Sequence, residues 1–222
     1  MNSIAVVIPS FDGFRDIWEP QLECVRRFWP ENTWPVWTVS NTLPFGPSER
    51  NVLAGSGVTW SEKLLIALDR IGTSHVFLLL DDLLVDSVRQ PMIDRAWTII
   101  ANNPEIVCFR VGSCSSQYHH PTDDQSIGMI HKWADYLISC SPAIWRVDYL
   151  RSILSRFSTP WEFEIHGTRL ASTLPGIFMM FAETAMCVQY SAITRGKAER
   201  GAKRFLEKHN IPWITDREEC GT

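Results

Sequence analysis

The stretch TWSEKLLIALDRIGTSHVFLLLDD, residues 59–82, contains two consecutive elements and the junction that decides the fold. Thr59 followed three residues later by Glu62 is a capping box, in which each side chain takes a backbone N–H that the first helical turn leaves unpaired. Leu64, Leu65, Leu68 and Ile71 then make one apolar helix face, and Gly72 supplies a left-handed stop. HVFLLL, residues 75–80, follows immediately as a short apolar run and reads as a buried strand. It delivers two adjacent carboxylates, Asp81 and Asp82, to its far end.

The preceding residues repeat the alternation. IAVVIPS, residues 4–10, reads as a strand ended by Pro9, and VWTVSN, residues 36–41, as a second. Between them Phe14, Ile17, Trp18, Leu22, Val25, Phe28 and Trp29 recur at helical spacing. Asp16 and Glu19 suggest a capping box there, and Pro20 argues for a start near that turn. The order β-α-β-α-β predicts right-handed crossovers and a sheet covered on both faces. Downstream, strands are expected in EIVCFRV (105–111), HKWADYLISC (131–140) and AMCVQYSAI (185–193). Helices are expected over residues 92–102, over 142–157 with Ser141 as N-cap, and in the last thirty or so residues. No repeat or linker interrupts the chain, so one domain is expected.

A chain of 222 residues, 45% hydrophobic and 21% charged, has a globular balance. Its formal charge of -4 offers no general attraction to nucleic acid. Cys24, Cys108, Cys114, Cys140, Cys187 and Cys220 form no C-x-x-C pair, and MNSIAVVIPS lacks the pattern of a secretory signal, so free thiols in a reducing cytoplasm are expected. No apolar run reaches the roughly 18 residues that span a bilayer; any membrane contact would be peripheral, at the inner face.

In an open α/β sheet ligands bind beyond the carboxyl ends of the strands, where Asp81 and Asp82 stand. Such a pair suits a nucleoside-triphosphatase acid, a phosphatase nucleophile, a receiver-domain acid or the metal-binding acid of a nucleotide-sugar enzyme. No G-x-x-x-x-G-K-[ST] string supports the first, and GSG at 55–57 is half a dinucleotide fingerprint. The nucleotide-sugar reading fits the chemistry, because a divalent cation held by Asp neutralises a departing diphosphate. Neighbours on an extended strand point to opposite faces, so one acid is expected on the metal and the other on a local hydrogen bond or a ribose, unless the chain turns. The alternative is that both merely cap the strand.

Three segments, VVIPSFDGFRD (6–16), residues 59–82, and SCSPAIWRVDYLRSIL with STPWEFE (139–154 and 158–164), resemble the family-2-like glycosyltransferases of bacterial surface-polysaccharide synthesis. The resemblance covers most of the chain in order. It implies a single-domain GT-A fold, a Rossmann-like three-layer α/β/α sandwich on a mixed, mainly parallel sheet. Residues 1–86 would form the nucleotide-binding half and residues 87–222 the acceptor half. It implies hexosyltransferase-like transfer from a nucleotide-sugar donor to a glycan or lipid-linked saccharide, with inversion and assistance from Mn2+ or Mg2+. Pro9, Ser10, Phe11, Asn41, Lys63 and Asp81 would line the donor nucleotide, and Asp82 with Asp81 would hold the metal. The chain departs from the family in carrying LDDLLVD where D-x-D is usual, and Asn41 where the second strand usually ends on an acid. Those departures motivate the alternative of a catalytically silent module that binds nucleotide-sugar or a partner.

Inversion needs a base for the acceptor hydroxyl. Glu164 is the first choice and Glu162 the competitor or orienting partner, two residues apart and on one side if extended. Trp161 offers a face for a sugar. Glutamates opening a helix also suit its dipole without any catalytic role. Residues 195–208, RGKAERGAKRFLEK, carry six basic and two acidic residues, net +4. An amphipathic helix is expected, with Arg195 and Lys197 at its amino end on the donor diphosphate or, alternatively, its basic face on anionic lipid. His119, His120, Asp123 and Asp124 are metal-ligand types without a recognised spacing, and an acceptor-site loop is the preferred reading.

Overall fold

The first strand, β1 (Ile4–Pro9), is buried along its whole length. Ile4, Val6 and Ile8 enter one apolar core and Val7 the other, as the two-residue period demands of a strand covered on both faces. The computed structural model describes residues 2–112, 115, 117–189 and 191–221. Cys114 lies outside them; Cys24, Cys108, Cys140, Cys187 and Cys220 are free.

After β1 come α1 (Arg15–Phe28), β2 (Val36–Ser40), β3 (Asn51–Leu53), α2 (Trp60–Ile71), β4 (His75–Leu78) and β5 (Leu84–Val88). The middle holds α3 (Gln90–Asn102), β6 (Ile106–Arg110), β7 (Tyr118–His119), β8 (Ile127–Ile130), β9 (Ala143–Arg146), α4 (Val147–Leu154) and α5 (Pro160–Thr173). The chain closes with β10 (Ile177–Phe181), β11 (Met186–Gln189), β12 (Ile193–Thr194), β13 (Lys197–Glu199), α6 (Arg200–Lys208) and β14 (Glu219–Cys220). A nine-stranded sheet runs in the order β3-β2-β1-β4-β9-β6-β10-β8-β7. Its strands share one direction except β9 and β8, so the sheet is mixed and largely parallel. Apolar residues of α1, α3 and α6 pack in one core, and those of α2, α4 and α5 in the other. Two small sheets, β11-β5 and β12-β13-β14, complete the fold.

Where local signals were strong the elements form as expected. Both halves of the Thr59–Glu62 capping box are present, and Gly72 ends α2 at φ 67°. Elsewhere tertiary contacts override the local reading. Residues 131–140 form no strand, because their polar groups are met by side chains and by other segments instead of by a strand ladder. Arg110 donates to the Leu137 carbonyl at 2.9 Å, the Ile138 N–H donates to Thr168 Oγ1 at 3.0 Å, and Lys132 Nζ reaches the Leu174 carbonyl at 2.8 Å. Ser141 caps no helix. Ala143–Arg146 instead wedges antiparallel between β4 and β6, and α4 begins only at Val147. Helix α1 starts at Arg15, with Pro20 inside it and no side-chain cap; Asp16 is engaged by Arg217.

His75 is buried, with Nδ1 2.9 Å from Ser74 Oγ, Nε2 unpartnered and Trp97 edge-on at 5.1 Å. Burial, then the Arg146 guanidinium, pull its pKa from 6.5 down to about 4. Between those values the unfolded chain binds a proton that the folded chain refuses. Stability is therefore full above pH 6.5 and falls as pH drops towards 4, by roughly 3 kcal/mol. Urea unfolding of His75→Phe is expected to show a flatter stability curve in this window, and an unaltered slope would assign the proton elsewhere.

Candidate functional site

Beyond β4 the chain turns, with the Leu83 N–H donating to the Leu80 carbonyl at 3.3 Å. The condition under which both acids can serve one site is therefore met. Gln21, fully buried on α1, braces the turn by donating Nε2 to the carbonyls of Leu80 and Leu83, each at 3.0 Å. Ser10 Oγ donates to Asp81 Oδ2 and itself receives Trp18 Nε1 at 2.5 Å. Asp81 is buried. Asp82 is half-buried, its carbonyl takes the Ala192 N–H at 2.8 Å, and among the described residues no other side chain donates to its carboxylate. Burial raises both carboxyl pKa values, and the charge of Asp82 adds to the shift at Asp81. Ser10 and Lys63 oppose the rise at Asp81.

Lys63 is the positive partner. Only 3% exposed, its ammonium donates to the Ser10 carbonyl and to Asn41 Oδ1 at 2.9 Å. Burial lowers its pKa, while Asp81 and then Asp12 hold it up. Asn41 is tied at both ends, because its Nδ2 also donates to the Gly55 carbonyl at 3.1 Å. Its first role is thus to seat Lys63. Phe11 stands 46% exposed beyond the end of β1, with Lys63 Nζ 5.9 Å from its ring centre, and the Ser10 N–H bonds the Val39 carbonyl at 2.8 Å next to Pro9. Asp12 ties the loops after β1 and β2 together, accepting from the N–H groups of Asn41 and Thr42 at 3.1 Å and of Leu43 at 3.3 Å. Burial works against its charge, yet these bonds and that of the Thr42 hydroxyl hold its pKa below the usual range.

Thr159 opens α5 with a second full capping box. On a helix, residues two apart point about 200° apart, so Glu162 and Glu164 do not share a side. Glu162 accepts the N–H groups of Ser158 and Thr159 at 2.9 and 3.1 Å and belongs to the cap. Glu164 accepts the Cys140 N–H at 2.7 Å, one turn beyond Trp161, which is 71% exposed. The Cys140 thiol is pushed well above its ordinary range by burial, then by the charges of Glu164 and Asp82.

Arg195 and Lys197 do not open a helix. Arg195 occupies the left-handed turn between β12 and β13 at φ 51°, Lys197 pairs with Glu218 at 2.8 Å, and the helix starts at Arg200. The histidine-rich loop gathers no ligand set: His120 bonds the Ile127 carbonyl at 2.8 Å, and Asp124 pairs with Arg95. Among the described residues no three His, Cys, Asp or Glu side chains form a metal cage. One open carboxylate backed by a second nevertheless suits a cation that completes its shell with substrate phosphates and water.

Comparison of the structure with known ones settles the architecture. The galactosyltransferase LgtC, solved with donor and acceptor sugar analogs, superposes at TM-score 0.52 with 10% identity over 96% of this chain and 98% of that one. A CMP:2-keto-3-deoxy-manno-octonic acid synthetase solved with CTP gives 0.54 and 12%, over 94% and 97%. Staphylococcus aureus TarS 1-349 gives 0.51 and 11%, over 83% of this chain and 60% of that one. The fold is GT-A-like. A galactosyltransferase and a CMP-sugar synthetase thus both have this fold. No protein-family model and no curated protein matches the sequence. In the described residues no helix is long and apolar enough to cross a membrane.

Gln21, Trp18, Asp12 and Cys140 escaped the sequence reading as site residues. Asp12 had a signal, since it stands three residues past Pro9 at the ligand-binding end of a strand. Gln21 and Trp18 had a weaker one, being polar-tipped side chains on the buried stripe of α1.

Proposed function

We propose that this chain transfers a sugar, with inversion, from a nucleotide-sugar donor to a saccharide or lipid-linked saccharide acceptor. The observation that supports the reading is the acid turn at the strand ends of a GT-A-like fold, where Gln21 braces the chain after β4 and Ser10 and the buried Lys63 stand beside Asp81. The donor nucleotide would lie across the ends of β1 and β2, against Phe11 and over the buried Lys63 charge. Asp82, backed by Asp81, would hold Mn2+ or Mg2+, which when bound supplies positive charge to the departing diphosphate. Trp161 stacks on the acceptor sugar. Glu164 accepts the proton of the acceptor hydroxyl as its oxygen bonds to the anomeric carbon, and the anomeric carbon–oxygen bond to the diphosphate breaks.

The test is a thermal-shift screen of nucleotide-sugars with and without MnCl2, followed by an assay for released nucleoside diphosphate across a saccharide panel. A manganese-dependent rise in melting temperature with one donor, and turnover with an acceptor, is expected. Binding without turnover would favour the silent module, to which Asn41 at the end of β2 and Glu162 within a helix cap also lend support. Pyrophosphate release from CTP would make the chain a nucleotidyltransferase.

A further inference from the structure

We infer that Arg217 is a positioning residue of the donor site, fixing the gap between the loop after β1 and the β12–β13 hairpin. The inference rests on the donor reading of Ser10, Phe11 and Asp82. Arg217 lies in the extended segment between α6 and β14, and its fork is engaged on several sides. Its Nε and Nη2 grip Asp16 at 2.8 and 2.7 Å, and Nη2 also donates to the Gly13 carbonyl. Its Nη1 donates to the Gly196 carbonyl at 3.1 Å, across the gap in the turn of the hairpin. The guanidinium carbon stands 5.0 Å from the centre of the Phe14 ring, and Thr215 Oγ1 adds a bond to Asp16 at 2.6 Å. The Arg217 and Asp16 side chains are only 17% and 18% exposed, so solvent screens the pair weakly.

What the fork joins gives it a role beyond stability. On one side, Gly13 and Asp16 stand two and five residues past Phe11, which with Ser10 is the segment proposed against the nucleotide. On the other, Gly196 belongs to the hairpin whose preceding residue Ala192 bonds the Asp82 carbonyl at 2.8 Å, and whose turn presents Arg195. A shift in this gap therefore changes the spacing between the nucleotide wall and the acid turn. Only a planar group with donors on both flanks spans it; a lysine ammonium keeps the charge but loses the fork.

The experiment uses the full chain as wild type, Arg217→Lys, Arg217→Ala and Thr215→Val. Titration calorimetry with UDP, CDP, GDP, ADP and dTDP in MnCl2 is combined with amide hydrogen exchange. Thr215→Val keeps the fork and guards against loss of folding in the arginine variants. For the nucleotide that wild type binds, Arg217→Lys is expected to lose about tenfold in affinity and Arg217→Ala more, with the donor KM raised and kcat nearly kept. Thr215→Val should fall between wild type and Arg217→Lys. Faster exchange is expected at residues 12–14 and 192–197 in the arginine variants. Unchanged affinity in Arg217→Lys and Arg217→Ala would overturn the inference. If wild type binds none of the five nucleotides, the proposed function fails instead, and unchanged exchange at those two segments would then overturn the clamp on its own.

Discussion

Glu164→Gln is expected to lower sugar transfer by about 10²- to 10⁴-fold, the range associated with removing a general base. The substitution isolates the proton-accepting role, because a glutamine oxygen can still accept the Cys140 N–H that Glu164 holds at 2.7 Å. Donor binding and the melting temperature should therefore stay near wild type while turnover collapses. Glu162→Gln is the matched control. Glutamine also completes a capping box, so the bonds from Ser158 and Thr159 persist and the rate should change little. Equal loss in both variants, or full activity in Glu164→Gln, would remove the base from α5.

Asp82→Asn is expected to abolish the manganese-dependent part of donor binding and to cut turnover by about 10²-fold or more, the scale of a lost electrostatic stabiliser of the departing charge. The same change should make the ligand-free protein more stable at neutral pH. Asp81 and Asp82 have folded pKa values raised by burial and, for Asp81, by its neighbour. A carboxyl raised in this way keeps its contribution to stability below its unfolded pKa and loses it as pH climbs through the folded one. At pH 7 the pair is thus a source of strain, which a neutral Asn relieves. Thermal unfolding at pH 5 and pH 8, with and without MnCl2, reads both effects. A variant that melts lower than wild type at pH 8 and still responds to manganese would dismiss Asp82 as the metal residue.

The acid turn shows how far local sequence reaches. That a buried strand delivers Asp81 and Asp82 to the ligand-binding end of a sheet follows from the apolar run and the capped helix before it. That the chain turns there instead of continuing extended follows from the Leu80–Leu83 bond and from Gln21, about sixty residues upstream. Lys63 was legible as a residue on the first turn of α2, but its burial against Ser10 and Asn41 depends on where α2 lies over β1 and β2. Glu162 and Glu164 were legible as a pair near Trp161. Their separation, Glu162 into the cap and Glu164 onto the Cys140 N–H, required the helix to start at Pro160.

By itself the amino-acid order determined the early alternation of strands and helices, the capped α2, the position of the twin acids and that of the two glutamates beside Trp161, because caps, turns and apolar periodicity act over a few residues. Only the tertiary structure decided that Ala143–Arg146 is a strand between β4 and β6, that the basic segment begins as a hairpin, and that Arg217 reaches back to Asp16. Those outcomes depend on partners tens to hundreds of residues away, whose edges and charges must meet in space before the choice is made, and no short window of sequence contains them.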